Sequence, residues 1–134
     1  MINAELPACL VVSEALTVPV CMQLQYQTAD PYAVHATFHL SGRKPVEWFL
    51  AREVLMEGLH QPAGIGDVRL WPTRSHGQYM VHIVLRSTRG QAVLVAPAQA
   101  MASFLRRTEN VVPPGTERCH FNLDAQLAHI LTGN

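Results

Sequence analysis

The stretch TVPVCMQLQYQTADPYAVHATFH, residues 17–39, decides the fold. Val18, Val20, Met22, Leu24 and Tyr26 alternate with Thr17, Pro19, Cys21, Gln23 and Gln25, which is the period-2 pattern of a half-buried strand. Pro19 has no N–H to donate, so it predicts a sheet edge or a bulge at that point. Asp30-Pro31 supplies a turn. Beyond it Val34, Ala36, Phe38 and Leu40 alternate with Ala33, His35, Thr37 and His39, a second strand of the same kind. Two half-buried strands joined by a short turn predict an antiparallel sheet.

Outward from this stretch the elements are short and follow one another closely. Ser41-Gly42 ends the second strand, and the alternation resumes from Pro45 to Leu50 through Val46, Trp48 and Leu50. The period then changes, because Ala51, Val54, Leu55 and Leu59 are spaced for one helical face, which Gly58 weakens near its end. Gly66 to Trp71, Tyr79 to Arg86 and Gln91 to Ala96 read as strands. Ser87-Thr88-Arg89-Gly90 joins the last two as a hairpin-sized loop, with Gly where φ can be positive. Pro97 suits a first helical position. Met101, Phe104, Leu105 and Thr108 then line one face, and Arg106-Arg107 are expected in the last turn, where cations complement the helix dipole. Val112-Pro113-Pro114-Gly115 forces a stop. A last helix is predicted from Asn122 as N-cap, burying Leu123, Leu127, Ile130 and Leu131. With Cys9 to Ser13 as a candidate first strand, the order is four strands, a helix, three strands and two helices. This is an α+β fold with antiparallel sheet, about seven strands and two to three helices, in one domain over residues 1–134.

Composition narrows the function classes. The chain has 134 residues, Lys+Arg 10 against Asp+Glu 10, and 49% hydrophobic residues. That fits a soluble globular domain and lacks the basic face expected of a general nucleic-acid binder. No apolar run is long enough for a membrane span, and the start has neither a positive n-region nor a signal h-region, so a cytoplasmic protein is expected. Cys9, Cys21 and Cys119 include no C-x-x-C pair and are expected to be reduced thiols packed as small hydrophobes.

No catalytic constellation is visible. His35 and His39 resemble an H-x-x-x-H pair, but residues four apart on a strand are separated by about 13 Å, too far to share one zinc. His76 and His82 flank a turn with no carboxylate or thiol nearby in sequence to complete a site. None of Ser13, Ser41, Ser75, Ser87 and Ser103 lies in G-x-S-x-G. Glu53 and Glu57, one helical turn apart, read as a solvated face. No metal or cofactor is expected.

The strand faces opposite the core are less ordinary. Positions 17, 19, 21, 23, 25, 33, 35, 37 and 39 carry no Lys, Arg, Asp or Glu. Exposed sheets are normally guarded by charge, so this face is expected to be covered by a second layer, another subunit or a partner. His35, Thr37 and His39 are therefore candidate partner or oligomer residues. Trp48 is in phase with Val46 and Leu50 and reads as core. Trp71 is out of phase with Val68 and Leu70 and precedes Pro72, which makes it a candidate contact residue, with Arg74 beside it.

Several motifs carry a resemblance. The run Tyr26 to His39, Val46-Glu47-Trp48, Ala51-Arg52, Glu57-Gly58-Leu59, Gly66-Asp67-Val68-Arg69, Phe104-Leu105-Arg106-Arg107-Thr108 and Val112-Pro113-Pro114-Gly115-Thr116-Glu117 resembles the SsgA-like family of sporulation and cell-division regulators of spore-forming filamentous bacteria. Arg74-Ser75-His76-Gly77-Gln78 and the closing Phe121, Leu123-Asp124, Leu127 and His129-Ile130-Leu131 are most similar to its SsgB branch. The resemblance implies a non-enzymatic adaptor that positions the tubulin-like protein FtsZ at septum sites, acting with an SsgA-type paralogue. It also implies a whirly-like subunit assembled as a homotrimer, cytoplasmic and concentrated at septa without direct membrane insertion. No site residue transfers from the family. Gly115, in Pro113-Pro114-Gly115, is a candidate hinge that supplies a backbone conformation a Cβ would disfavour and orients the last helix. The competing reading, single-stranded nucleic-acid binding suggested by the whirly resemblance, requires a basic groove with stacking aromatics, whereas the arginines here are scattered.

Overall fold

The computed structural model describes residues 1–120. In chain order the elements are β1 (Ile2–Ser13), β2 (Leu16–Tyr26), β3 (Ala33–His39), β4 (Val46–Ala51), α1 (Arg52–Gly58), β5 (Ala63–Ile65), β6 (Val68–Ser75), β7 (Gln78–Ser87), β8 (Gly90–Pro97), α2 (Ala98–Val111) and a 3₁₀ turn (Glu117–Cys119). The strands form one curled, wholly antiparallel sheet in the order β4-β3-β2-β1-β8-β7-β6-β5. Two meanders, β1–β4 and β5–β8, join through Cys9↔Val95 and Leu10↔Leu94.

The α+β class and antiparallel pairing match the sequence reading, but there is one sheet, with eight strands instead of seven. The added strand, β5, contains Gly64 and is too short for a period to show. β1 begins at Ile2 instead of Cys9, because Ala4, Leu6, Ala8 and Leu10 alternate inward opposite Leu24, Met22, Val20 and Val18. β6 starts at Val68, not Gly66, and continues through Pro72. The prolines explain themselves in the register. Pro19 lies beyond the part of β2 paired with β3, Pro72 beyond the part of β6 paired with β5, and Pro7 outside the β1–β8 pairs. Each therefore sits where its strand has one neighbour, the kind of position in a sheet that tolerates proline.

One face of the sheet carries the core: Leu6, Met22, Leu24, Val34, Ala36, Leu50, Leu70, Ile83, Leu94 and Ala96 are buried there against the helices. From α2, Met101, Phe104, Leu105 and Thr108 are buried, the face its spacing predicted. Burial contributes about 1.5–3 kcal/mol for each large apolar side chain among them. Arg106 and Arg107 are not in the last turn, because α2 runs on to Val111. Arg107 instead donates to the Asn3 carbonyl at 2.8 Å, tying α2 to β1. Val112 is extended at φ −135°, as a residue before proline must be, and ends the helix. Pro97 caps α2 from just outside it. Gly58 is more than a weak helix former: a Cβ there would meet the Leu70 Cβ at 2.7 Å, so its absence lets α1 lie on β6. The predicted helix from Asn122 lies outside the described residues.

Candidate functional site

β-strand alternation sends every second residue to the face opposite the core, and registers align these into rows. One row runs directly across five strands: Pro19 on β2, Cys9 on β1, Val95 on β8, His82 on β7 and Trp71 on β6. Beside it Val93 and Val84 pair between β8 and β7. Val84 is buried yet lies apart from the hydrophobic core cluster. At its far end the row is rigid, because Trp71 and His82 stack with ring centroids 5.3 Å apart and 16° between planes. The Thr73 hydroxyl lies 3.1 Å from His82 Nδ1. Burial pushes the His82 pKa down from the ordinary histidine value.

The same face continues onto β3. Cys21 faces His39, Gln23 faces Thr37 and Gln25 faces His35. His39 Nε2 and Gln23 Oε1 are 2.8 Å apart, and Gln23 Nε2 donates to Glu5 at 3.1 Å. His35 stacks on Phe49 with centroids 4.6 Å apart and has Nε2 3.2 Å from Glu47 Oε1. The β2–β3 face is therefore not bounded by neutral residues alone. Glu5 from β1 and Glu47 from β4 enter it, through partners that sequence distance concealed. His35, Thr37, His39 and Trp71 share this outer face. Arg74 does not. It is in phase with Leu70 and Pro72, on the opposite face near the hairpin tip, with its guanidinium 5.3 Å from the Tyr79 ring centroid.

A second concavity, of about 500 Å³, opens between α1, α2 and the β6–β7 hairpin, lined by Met56, Leu59, Pro72, Tyr79, Leu105 and Arg106 among others. No group of three or more His, Cys, Asp or Glu placed to hold a metal ion occurs among the described residues. Of the thiols expected to be packed, Cys9 is half-buried while Cys21 and Cys119 are exposed. Cys21 is exposed because its phase on β2 is the outer one.

Sequence reasoning missed a buried ionic cluster. Arg52 is 1% exposed at the head of α1. Its Nη1 donates to the Val112 carbonyl at 2.7 Å and the Thr108 carbonyl at 3.3 Å, and its Nη2 lies 3.1 Å from Glu117 Oε2. The guanidinium also sits 5.1 Å from the Tyr26 ring centroid. Glu117 in turn accepts the Gly115 N–H at 2.7 Å. Its pKa is held below the ordinary value, first by its own backbone N–H and then by Arg52 and the Gly115 N–H. The Arg52 clamp fastens the last turn of α2 and the following loop to the head of α1, over the Tyr26 ring of β2. The available signal was a charged residue in phase with Leu55 and Leu59 on an apolar stripe. Gly115 has φ +89°, a left-handed conformation that side chains disfavour. The helix it was expected to orient lies outside the described residues.

Comparison with known proteins places these features in a family context. Residues 20–117 match the family described as Streptomyces sporulation and cell division protein, SsgA. The chain is 58% identical over 130 residues to the sporulation-specific cell division protein SsgB of Streptomyces coelicolor, covering 97% of this chain and 95% of that one. It is 40% identical over 131 residues to the SsgB of Thermobifida fusca, covering 98% and 95%. A solved structure from work relating SsgB mutations to longitudinal cell division during sporulation of S. coelicolor superposes with TM-score 0.86 at 57% identity, over 90% of this chain and 94% of that one. The crystal structure of an SsgA-like sporulation-specific cell division protein from T. fusca YX-ER1 gives 0.86 at 40% identity, over 96% and 93%.

Proposed function

Because this chain belongs to the SsgA family of sporulation and cell division proteins, we propose that it acts as a non-enzymatic adaptor that positions FtsZ at sporulation septa together with an SsgA-type paralogue. The observation that carries this reading is the outer face of the sheet. Pro19, Cys9, Val95, His82 and Trp71 form an uncharged row across five strands, and the helices pack on the opposite face. Apolar and aromatic surface left in this state is characteristic of protein–protein contacts. The β3 end, with His35, Thr37 and His39, offers polar and ionisable groups of the kind found at an interface rim.

Self-assembly belongs to the same reading. The subunit forms a homotrimer with a whirly-like arrangement, its copies covering part of this face and leaving the remainder to FtsZ and the paralogue. The protein is cytoplasmic and concentrated at septa. No helix among the described residues is long and apolar enough to cross a membrane.

Co-sedimentation of the purified protein with polymerised FtsZ, across salt concentrations and with single-stranded DNA as competitor, tests the proposal. Saturable pelleting that DNA does not displace supports a direct adaptor. Absence of pelleting, together with failure to reach nascent septa in cells, defeats it. Displacement by DNA would favour single-stranded nucleic-acid binding instead.

A further inference from the structure

The two ends of the sheet are protected unequally. At one end β5 has three residues, follows Pro62 and contains Gly64, a short and poorly templating edge. At the other, β4 pairs residue for residue with β3 from Val46 to Ala51 without a register shift, and no described strand pairs with its other side. That edge presents a row of backbone donors and acceptors outside the ladder. Edge strands are normally guarded by lysine, proline, a bulge or an inward charge. Lys44 and Pro45 stand just ahead of β4, but within Val46–Ala51 the one such residue is Glu47, which lies 3.2 Å from His35 on the outer face.

Apolar side chains flank this edge on both faces. Val46 and Trp48 share the core-side phase with Leu50, and Val46 is still 49% exposed. Phe49, on the outer face, is 65% exposed. Just ahead of the strand, Arg43 and Lys44 are both exposed. The close basic–acidic contacts among the described residues are His35–Glu47 and Arg52–Glu117, so neither Arg43 nor Lys44 is engaged in one.

We infer that the free edge of β4 accepts an extended acidic segment of a partner protein as an added strand. Main-chain hydrogen bonds to β4 hold the segment, as in other β-augmentation complexes. Its alternate apolar side chains cover Val46 and Trp48 on one face, and the intervening side chains lie beside Phe49 on the other. Arg43 and Lys44 choose its chemistry, since two unpaired cations at the mouth of the edge favour acidic residues there and disfavour basic ones. This surface is separate from the Cys9–Trp71 row and stands whether or not FtsZ is the partner.

The test uses the full chain and a fluorescein-labelled peptide, Glu-Asp-Val-Thr-Val-Thr-Phe-Thr, followed by fluorescence anisotropy. Three comparisons accompany it: a counterpart with two lysines at its start, a version N-methylated at alternate backbone amides, and the protein variant R43E/K44E. The inference predicts saturable binding that weakens with salt and falls at least tenfold in each comparison, with far-UV circular dichroism and melting of the variant unchanged. Absence of binding at millimolar peptide overturns it. Equal binding of the N-methylated peptide also overturns it, because the contact is then adhesion of side chains. So does equal binding of the lysine peptide. Sedimentation showing an oligomer that dissociates in Phe49→Lys would assign the edge to a second copy of this chain and overturn it as well.

Discussion

Arg52 is the residue on which the most structure converges. Truncation would remove the donor to the Val112 carbonyl and one of two donors to the Thr108 carbonyl, and would strand Glu117 beside them. We expect Arg52→Met to lower unfolding free energy by about 3–5 kcal/mol, the usual consequence of breaking one side of a buried ionic cluster, as read from urea denaturation. Glu117 makes the cluster sensitive to acid. Its folded pKa lies below the ordinary glutamate value of 4.5. It therefore contributes stability that is fully present above pH 4.5 and is lost as pH falls through the lower, folded value. Glu117→Gln should flatten the acid limb of a plot of melting temperature against pH, leaving the neutral region less affected by pH than by the substitution itself. Gly58 supplies a steric counterpart. Gly58→Ala improves helix propensity, yet its Cβ meets the backbone-anchored Leu70 Cβ at 2.7 Å, so a net loss of about 1–3 kcal/mol is expected by denaturation. Of these three positions the sequence marked only Gly58, and for propensity rather than packing. A clash and an ion cluster arise between elements that are distant along the chain.

Among the elements, the β6–β7 hairpin shows how turn chemistry and strand phase divide the work. Ser75 pairs with Gln78, leaving His76 and Gly77 as a two-residue loop with φ +50° and +80°. Positive φ at both positions suits the twist of a hairpin, but histidine is a strained choice at the first. His76→Asn should therefore raise the melting temperature, by an amount equivalent to about 0.5 kcal/mol. The loop was visible in the sequence as a gap between strands, and Trp71 was visible as out of phase. Arg74 lies on the other face from Trp71, because three residues along a strand reverse the side, a relation that nearness in sequence hides. β1 was shortened for a related reason: Ala4, Ala8 and Pro7 dilute the alternation that β2 makes obvious.

At the scale of the molecule, the eight-stranded sheet sets α1 and α2 on one face and leaves an uncharged row on the other. Val95→Glu places a charge in the middle of that row without touching the core. We expect sedimentation velocity to show smaller species than the parent protein, and FtsZ co-sedimentation to fall, while the melting temperature moves by less than the shift from a core change such as Leu105→Ala, about 2–5 kcal/mol. Residues 17–39 by themselves determined the strand phases, the antiparallel class and which side chains of β2 and β3 face away from the core. The local spacing of α2 determined its buried face, and the ordered motifs pointed to the family. These are properties of periodicity and of local order along the chain. Only the tertiary structure decided that His39 and Trp71 share a face, that Glu5 and Glu47 border it, that Arg52 is buried and that β4 ends the sheet. Each of those depends on strand order and on pairings between elements distant in sequence, such as β1 with β8, which the packing of apolar faces sets and the spacing within one strand does not carry.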